Sequence, residues 1–179
     1  MILVPNEYWH WCFDVENERL MLDLSDGLLF NTAYQAKQLT PAARESQPFT
    51  LDDVSCYFHL LECIGELPFS EAERVQIVLN AIAVLRFAKP QMVRSHYFRQ
   101  FDLVGEAPLF GEVVSLVTEY GPADFLVVEP GCNASVLILL GGVLRLDESK
   151  DISAGGIIKV MNDRIIPFHA VSSQLLRLA

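Results

Sequence analysis

The hydrophobic period of this chain changes once, near residue 100, and that change limits the folds open to it. Before it, residues 50–88 carry two helical signatures. Thr50, with Asp53 three residues on, opens a helix that runs to about Ile64, ahead of Gly65. Ser70 and Glu73 form a capping box, in which each partner satisfies a backbone N–H of the first turn. The helix behind it carries Val75, Val78, Leu79, Ile82 and Leu85 at helical spacing, widened by Ile77 and Val84. So broad an apolar stripe is expected to lie against a sheet. It stops before Lys89-Pro90, because a residue preceding proline is pushed out of the α region. After residue 105 the pattern is β-branched runs, at 112–119, 125–129, 134–140 and 156–161. Gly121-Pro122, Pro130-Gly131, Gly141-Gly142 and Gly155-Gly156 separate or flank them. Short strands with Gly/Pro turns predict a small barrel or sandwich.

The N-terminal stretch also reads as β. Tyr8–Val15 is aromatic-rich, Glu16-Asn17-Glu18 is a turn candidate, Arg19–Leu24 alternates, and Ser25-Asp26-Gly27 is a strong turn signal before Leu28-Leu29-Phe30. The expectation is an α+β chain: residues 1–100 as an α/β domain of strands and two helices, residues 101–179 as a β-barrel-like domain. The boundary is expected within 99–110. Ser172–Ala179 is expected as an apolar tail that docks or frays.

With 179 residues, of which 51% are apolar, the chain can bury roughly 70% of its unfolded surface and needs no staples. Cys12, Cys56, Cys63 and Cys132 form no CxxC and have no histidine at metal-ligand spacing. Cys56 and Cys63 stand two helical turns apart, about 10 Å, too far for a disulfide within one helix. Reduced thiols in a cytoplasmic protein are the expectation. The opening MILVPNEYWHW has no cationic region before an apolar stretch, and the run Ala134–Leu140 falls short of the ~20 residues of a spanning helix.

Chemistry is sparse. His10, His59, His96 and His169 stand apart from one another and from any ligand arrangement. There is no GxSxG, no Walker loop and no GxGxxG. Asp52-Asp53 opens a helix, where acids complement the dipole. No catalytic residue, metal or cofactor is expected. A net charge of −10 argues against nucleic acid and anionic membrane surfaces. Three features remain. Trp9, Trp11 and Phe13 share one strand face, as core or as the wall of an apolar pocket. Residues 86–99 hold Arg86, Lys89, Arg94 and Arg99 with no acid; helix-dipole pairing accounts for the first two, and the other two lie beyond Pro90. Lys159 and Arg164 bracket a short polar turn.

Four blocks then carry a family likeness. WHWCFDVENERLMLDLSDGLLFNTAYQAKQLTP (Trp9–Pro41), RVQIVLNAIAVLRFAKPQMVRSHYF (Arg74–Phe98), FLVVEPGCNASVLILL (Phe125–Leu140) and IIKVMNDRIIP (Ile157–Pro167) lie in order over roughly half the chain. They resemble the ZapC family of Z-ring-associated cell-division proteins. Residues 99–122 and 141–155 match poorly, and Arg94 stands where relatives are expected to carry lysine. The resemblance implies an α/β domain beside a small twisted β-barrel. It implies a non-enzymatic protein at the mid-cell division site. Such a protein binds FtsZ filaments, promotes their lateral bundling in the Z-ring and lowers FtsZ GTPase turnover. FtsZ-type partners are acidic, so cations must face them. Arg86, Lys89, Arg94 and Arg164 are the expected contacts, converging on one face, with Leu22, Phe30 and Tyr34 as apolar anchors. The rival readings are a small-molecule binder or cryptic enzyme built on the aromatic first domain, and a nucleic-acid binder built on the second.

Overall fold

The structure is a computed structural model and describes residues 3–102 and 106–168. It is α+β and divides into two compact units, Met1–Pro90 and Gln91–Ala179. The division falls ahead of the expected 99–110 window. Residues 93–101 belong to the second unit because their backbone bonds to its sheet: Val93 bridges Lys159, and Arg99 N–H donates to the Val117 carbonyl at 2.8 Å. The tail read from Ser172 onward lies outside the described residues.

In the first unit, β1 (His10–Asp14), β2 (Arg19–Asp23), β3 (Leu29–Gln35) and β4 (Gln47–Pro48) form an antiparallel sheet in the order β3-β2-β1-β4. The turn into β3 runs through Ser25, Asp26 and Gly27, all at positive φ, and Asp23 anchors it by accepting the Ser25 N–H at 2.8 Å. β3 is longer than Leu28-Leu29-Phe30. Between Arg19↔Gln35 and Met21↔Asn31 the register shifts, so residues 32–34 of β3 face Leu20 alone. Thr32 satisfies this bulge: its hydroxyl donates to the Leu20 carbonyl at 2.7 Å and accepts the Tyr34 N–H at 3.2 Å. Asn80 accepts the Ala33 N–H at 3.0 Å on the outer side of β3.

Helices α1 (Leu51–Cys63) and α2 (Glu71–Phe87) begin at the two expected caps, and both capping boxes are complete. α2 buries nine residues, so it is apolar nearly all round. Its last turn is closed from outside: Thr40 N–H donates to the Phe87 carbonyl at 2.7 Å, and Lys89 N–H donates to the Gln38 carbonyl at 2.9 Å. Of the aromatic stripe, Trp9 and Trp11 are core, while Phe13 is half-buried with the Arg44 guanidinium 5.2 Å from its ring centroid. Trp9 and Trp11 are 2% and 0% exposed, and Trp9 meets Phe49 and Tyr57 edge-on at 5.3 and 5.9 Å. Trp11 meets Phe87 at 5.5 Å. Each such pair adds about 0.5–1.5 kcal/mol to simple burial.

One charged residue sits inside this core. Asp53, in the first turn of α1, accepts the Arg86 Nη1–H at 2.6 Å, the Thr50 N–H at 2.9 Å and the Trp11 Nε1–H at 3.4 Å, all on Oδ2. Arg86 also donates to the Pro48 carbonyl and to Gln47 Oε1, at 2.9 and 2.7 Å. Arg86 was expected to face a partner. Instead, its guanidinium is occupied by Asp53 and by β4, because a buried carboxylate requires a counter-charge there.

In the second unit, β5 (Val113–Thr118), β6 (Gly121–Glu129), β7 (Ala134–Leu139), β10 (Ile157–Met161) and β11 (Ile166–Pro167) form an antiparallel sheet in the order β10-β7-β6-β5-β11. Gly121-Pro122 forms the start of β6, with Pro122 opposite Val117. β8 (Val143–Arg145) and β9 (Asp151–Ser153) make a separate hairpin that the sequence reading lacks. Leu144 and Leu146 of that hairpin join Phe98, Phe125, Val127, Leu137, Ile158 and Val160 in one core.

The ladder is not a closed barrel, since β10 and β11 do not pair. The chain itself joins the two edges, through the turn Asn162–Arg164 between β10 and β11. A polar knot holds that turn. Asn162 Nδ2 donates to the Gly131 carbonyl at 2.8 Å, Ser135 Oγ donates to Asn162 Oδ1 at 2.8 Å, and Gly131 N–H donates to Ser135 Oγ at 3.2 Å. Gly131 is required there, because a Cβ would stand 2.2 Å from the Ala134 carbonyl oxygen.

Gly131→Ala destabilises the protein by about 1–3 kcal/mol through overpacking against backbone. Gly142→Asn, in open space at φ +72, stays within about 1 kcal/mol. Denaturant unfolding checks both. Asp53→Ala costs about 3 kcal/mol by leaving Arg86 without a counter-charge, and adding Arg86→Met restores most of the loss. Equal losses in the single and double variants would refute the pairing.

Candidate partner-binding surfaces

Each unit carries its own surface feature. In the first, the turn into β3 and the first turns of α2 enclose an open groove of about 580 Å³. Leu3, Leu24, Leu28, Leu29, Phe30 and Val75 supply its apolar lining, and Ser70, Glu71 and Gln76 supply its polar side. Leu28 and Leu29 are each 50% exposed, an uncommon investment of large apolar side chains at a surface.

Of the three expected apolar anchors, only Phe30 lines this groove. Leu22 and Tyr34 are fully buried. Leu22 lies opposite Phe30 in the β2–β3 ladder, so the alternation that turns it toward the core removes it from solvent. Burial also drives the Tyr34 phenol far above its ordinary pKa, which keeps it neutral. Both are core residues that set the strand carrying Phe30. The sequence reading did not single out Leu28, Leu29 and Val75 as contacts, although the turn signal before Leu28 marked where the groove begins. Trp9 and Trp11 do not line it.

The expected cations separate by environment. Arg86 belongs to the core pair with Asp53. Lys89, just after α2, is exposed, and its ammonium donates to the Lys37 carbonyl at 3.0 Å. In the second unit the structure brings Arg94 and Arg164 together. The Arg94 N–H donates to the Lys159 carbonyl at 2.8 Å, the next residue's hydroxyl, Ser95 Oγ, accepts the Met161 N–H at 2.8 Å, and Arg164 Nε donates to the Ser95 carbonyl at 3.4 Å. Arg164 is paired with Asp163 at 2.5 Å, and its side chain is 18% exposed, so its charge is locally balanced. Arg94 is exposed, beside Met92 and Val93, which are 79% and 45% exposed. This seam therefore presents a cation among apolar side chains.

Two further depressions lie in the second unit. One of about 450 Å³ is bordered by Glu106, Glu112 and Asp163; the other, about 360 Å³, by Tyr97, Phe98 and Arg99. Among the described residues, no three or more His, Cys, Asp or Glu side chains are grouped to hold a metal ion. Contrary to the reading that no cysteine has a histidine at ligand spacing, His59 and Cys63 are four apart on α1 and Cys63 Sγ lies 3.6 Å from His59 Nε2; burial and the Glu62 carboxylate push this thiol up, away from thiolate. Burial also raises Cys12 and Cys56. Among the described residues no helix is long and apolar enough to cross a membrane.

Comparison with known proteins agrees with this two-part organisation. The family model described as the N-terminal part of cell-division protein ZapC matches residues 2–89, and that of its C-terminal part matches residues 90–171. The junction falls where the two compact units divide. A cell division protein ZapC of Tolumonas auensis is 41% identical over 179 residues, covering 100% of both chains. One of Aeromonas hydrophila is 42% identical over 174 residues, 97% of each, and one of Photobacterium profundum 37% over 168 residues, 93% of each. With likeness of this level along its whole length, the chain belongs to the ZapC family of cell-division proteins.

Proposed function

We propose that this protein acts in the cytoplasm at the division site, by binding FtsZ filaments, bundling them laterally in the Z-ring and lowering their GTPase turnover during septation. It works by contact and not by catalysis. The observation that carries this reading is the apolar groove under Phe30 in a chain of this cell-division family. Large half-exposed leucines beside a preformed depression fit a docking site for another protein.

Charge shapes the encounter. Both bodies are acidic, so their approach is slowed unless local cations meet the partner. Lys89 in the first unit and Arg94 in the second serve that purpose. Arg164 supports Arg94 through Ser95, and Arg86, Leu22 and Tyr34 act from within the core. Crosslinking filaments requires two binding faces or a dimer. The groove on one unit and the cationic seam on the other supply two faces. Reduced GTPase turnover follows if the protein binds the assembled form better than the free subunit, since a ligand shifts an equilibrium only by its differential affinity.

Sedimentation with purified FtsZ and GTP, scored for binding and bundling together, tests the reading. Leu29→Asp with Phe30→Ser is expected to lower co-sedimentation about tenfold or more, the scale of losing an apolar anchor. Lys89→Glu with Arg94→Glu is expected to abolish it at physiological salt while thermal unfolding stays unchanged. Full binding by both double variants would reject these contact surfaces, and absence of binding by the unmodified protein would reject the function.

A further inference from the structure

Helix α1 ends without a cation. No basic residue stands in its last turn, whereas α2 carries Arg86 in its own. The carbonyls at a helix C-terminus gather about half a negative charge, and the exposed Glu62 adds a carboxylate in the same turn. Into this field α1 turns two side chains that bind metals. His59 and Cys63 are both exposed and stand four residues apart, one above the other on the same face of the helix. Cys63 Sγ lies 3.6 Å from His59 Nε2. Zinc held about 2.3 Å from sulfur and about 2.0–2.1 Å from nitrogen in a tetrahedral shell sets those two atoms about 3.5–3.6 Å apart. The pair stands at the spacing that one ion would span, with no rearrangement of the helix.

We infer that His59 and Cys63 bind a zinc-class divalent cation, and that a second copy of this chain completes its shell. A thiolate with an imidazole selects zinc over magnesium or calcium, which take oxygen ligands. Binding replaces the Cys63 S–H bond by a zinc–sulfur bond, and the proton passes to solvent.

Among the described residues, no third His, Cys, Asp or Glu joins the pair, so one chain fills only part of a tetrahedral shell. A structural zinc site closes with four protein ligands, and two cysteines with two histidines are a common set. A two-fold axis through the ion brings the same pair from a second chain and supplies that set. The ligands lie at an exposed helix end, where another chain can reach them. Phe58, 48% exposed, stands beside His59 on α1 and gives the contact an apolar flank. The negative ends of two helices then share one cation.

Zinc titration of the metal-free full chain, by calorimetry with sedimentation velocity on the same samples, tests this. The unmodified protein is expected to take up one ion per pair of chains while its mass doubles, and a chelator is expected to reverse both. Cobalt(II) in place of zinc is expected to show the thiolate charge-transfer absorption of a tetrahedral site, which Cys63→Ser abolishes. Cys63→Ser and His59→Gln each weaken zinc binding about tenfold or more, since even a residue that only supports a ligand costs that much. Cys132→Ser, which removes an exposed thiol of the second unit, leaves binding within about twofold. Excess magnesium is expected not to compete. Unfolding midpoints of the metal-free variants matching the unmodified protein exclude a folding defect. No zinc binding, zinc binding unchanged in Cys63→Ser, an equal loss in Cys132→Ser, or displacement by magnesium overturns the site. One ion per chain with no change in mass retains the pair as the site and overturns the second copy.

Discussion

A single carboxylate oxygen, Oδ2 of Asp53, organises the first unit. It receives hydrogen bonds from the start of α1, from Trp11 in β1 and from Arg86 near the end of α2, and Arg86 carries the link on to β4. An ion pair in this setting is not chosen for energy, since removing two charges from water costs much of what their attraction returns. It imposes register. A helix shifted by one residue would leave a buried charge unmatched, so α1 and α2 have one permitted placement on the sheet. That placement sets the outer strand β3 and the groove beside it.

The second unit solves a different problem. Its sheet ends in two edge strands, β10 and β11, which the chain ties through Asn162–Arg164; residues 93–99 add a second tie, from β10 at Lys159 to β5 at Val117, beyond the two residues that β11 pairs. The second tie carries Arg94 and Tyr97. The cationic seam is thus carried by the same residues that make this tie, and their main chain is fixed by backbone bonds on both sides.

The legibility of the sequence followed the range of the interactions. Both helices, their caps and the long strands were readable because capping boxes and alternation act within a few residues. The outward half of β3 was not, because its bulge depends on Thr32 bonding to Leu20 across the ladder. The hairpin β8–β9 was missed because its strands are three residues each and their pairing is with each other alone. Among the site residues, residue type misled where partners are distant in sequence. Arg86 looked available until Asp53, 33 residues away, occupied it. Leu22 and Tyr34 looked like contacts although strand alternation already allowed a core role. The cationic character of residues 86–99 was visible, but not that Lys150, 53 residues on in the β8–β9 hairpin, bonds the Tyr97 hydroxyl.

The amide of Asn80 on the outer side of β3 has a consequence for behaviour at high concentration. An outermost strand offers main-chain donors and acceptors on which other chains can template, the usual start of aggregation. Here a helix side chain occupies the Ala33 N–H, and the bulge at residues 32–34 breaks the regular ladder just beside it. Together they shorten the stretch that a foreign strand can zip onto to the first few residues of β3, next to the groove. A protein that must stay dispersed while it presents half-exposed leucines keeps that surface without inviting fibre growth along the whole strand.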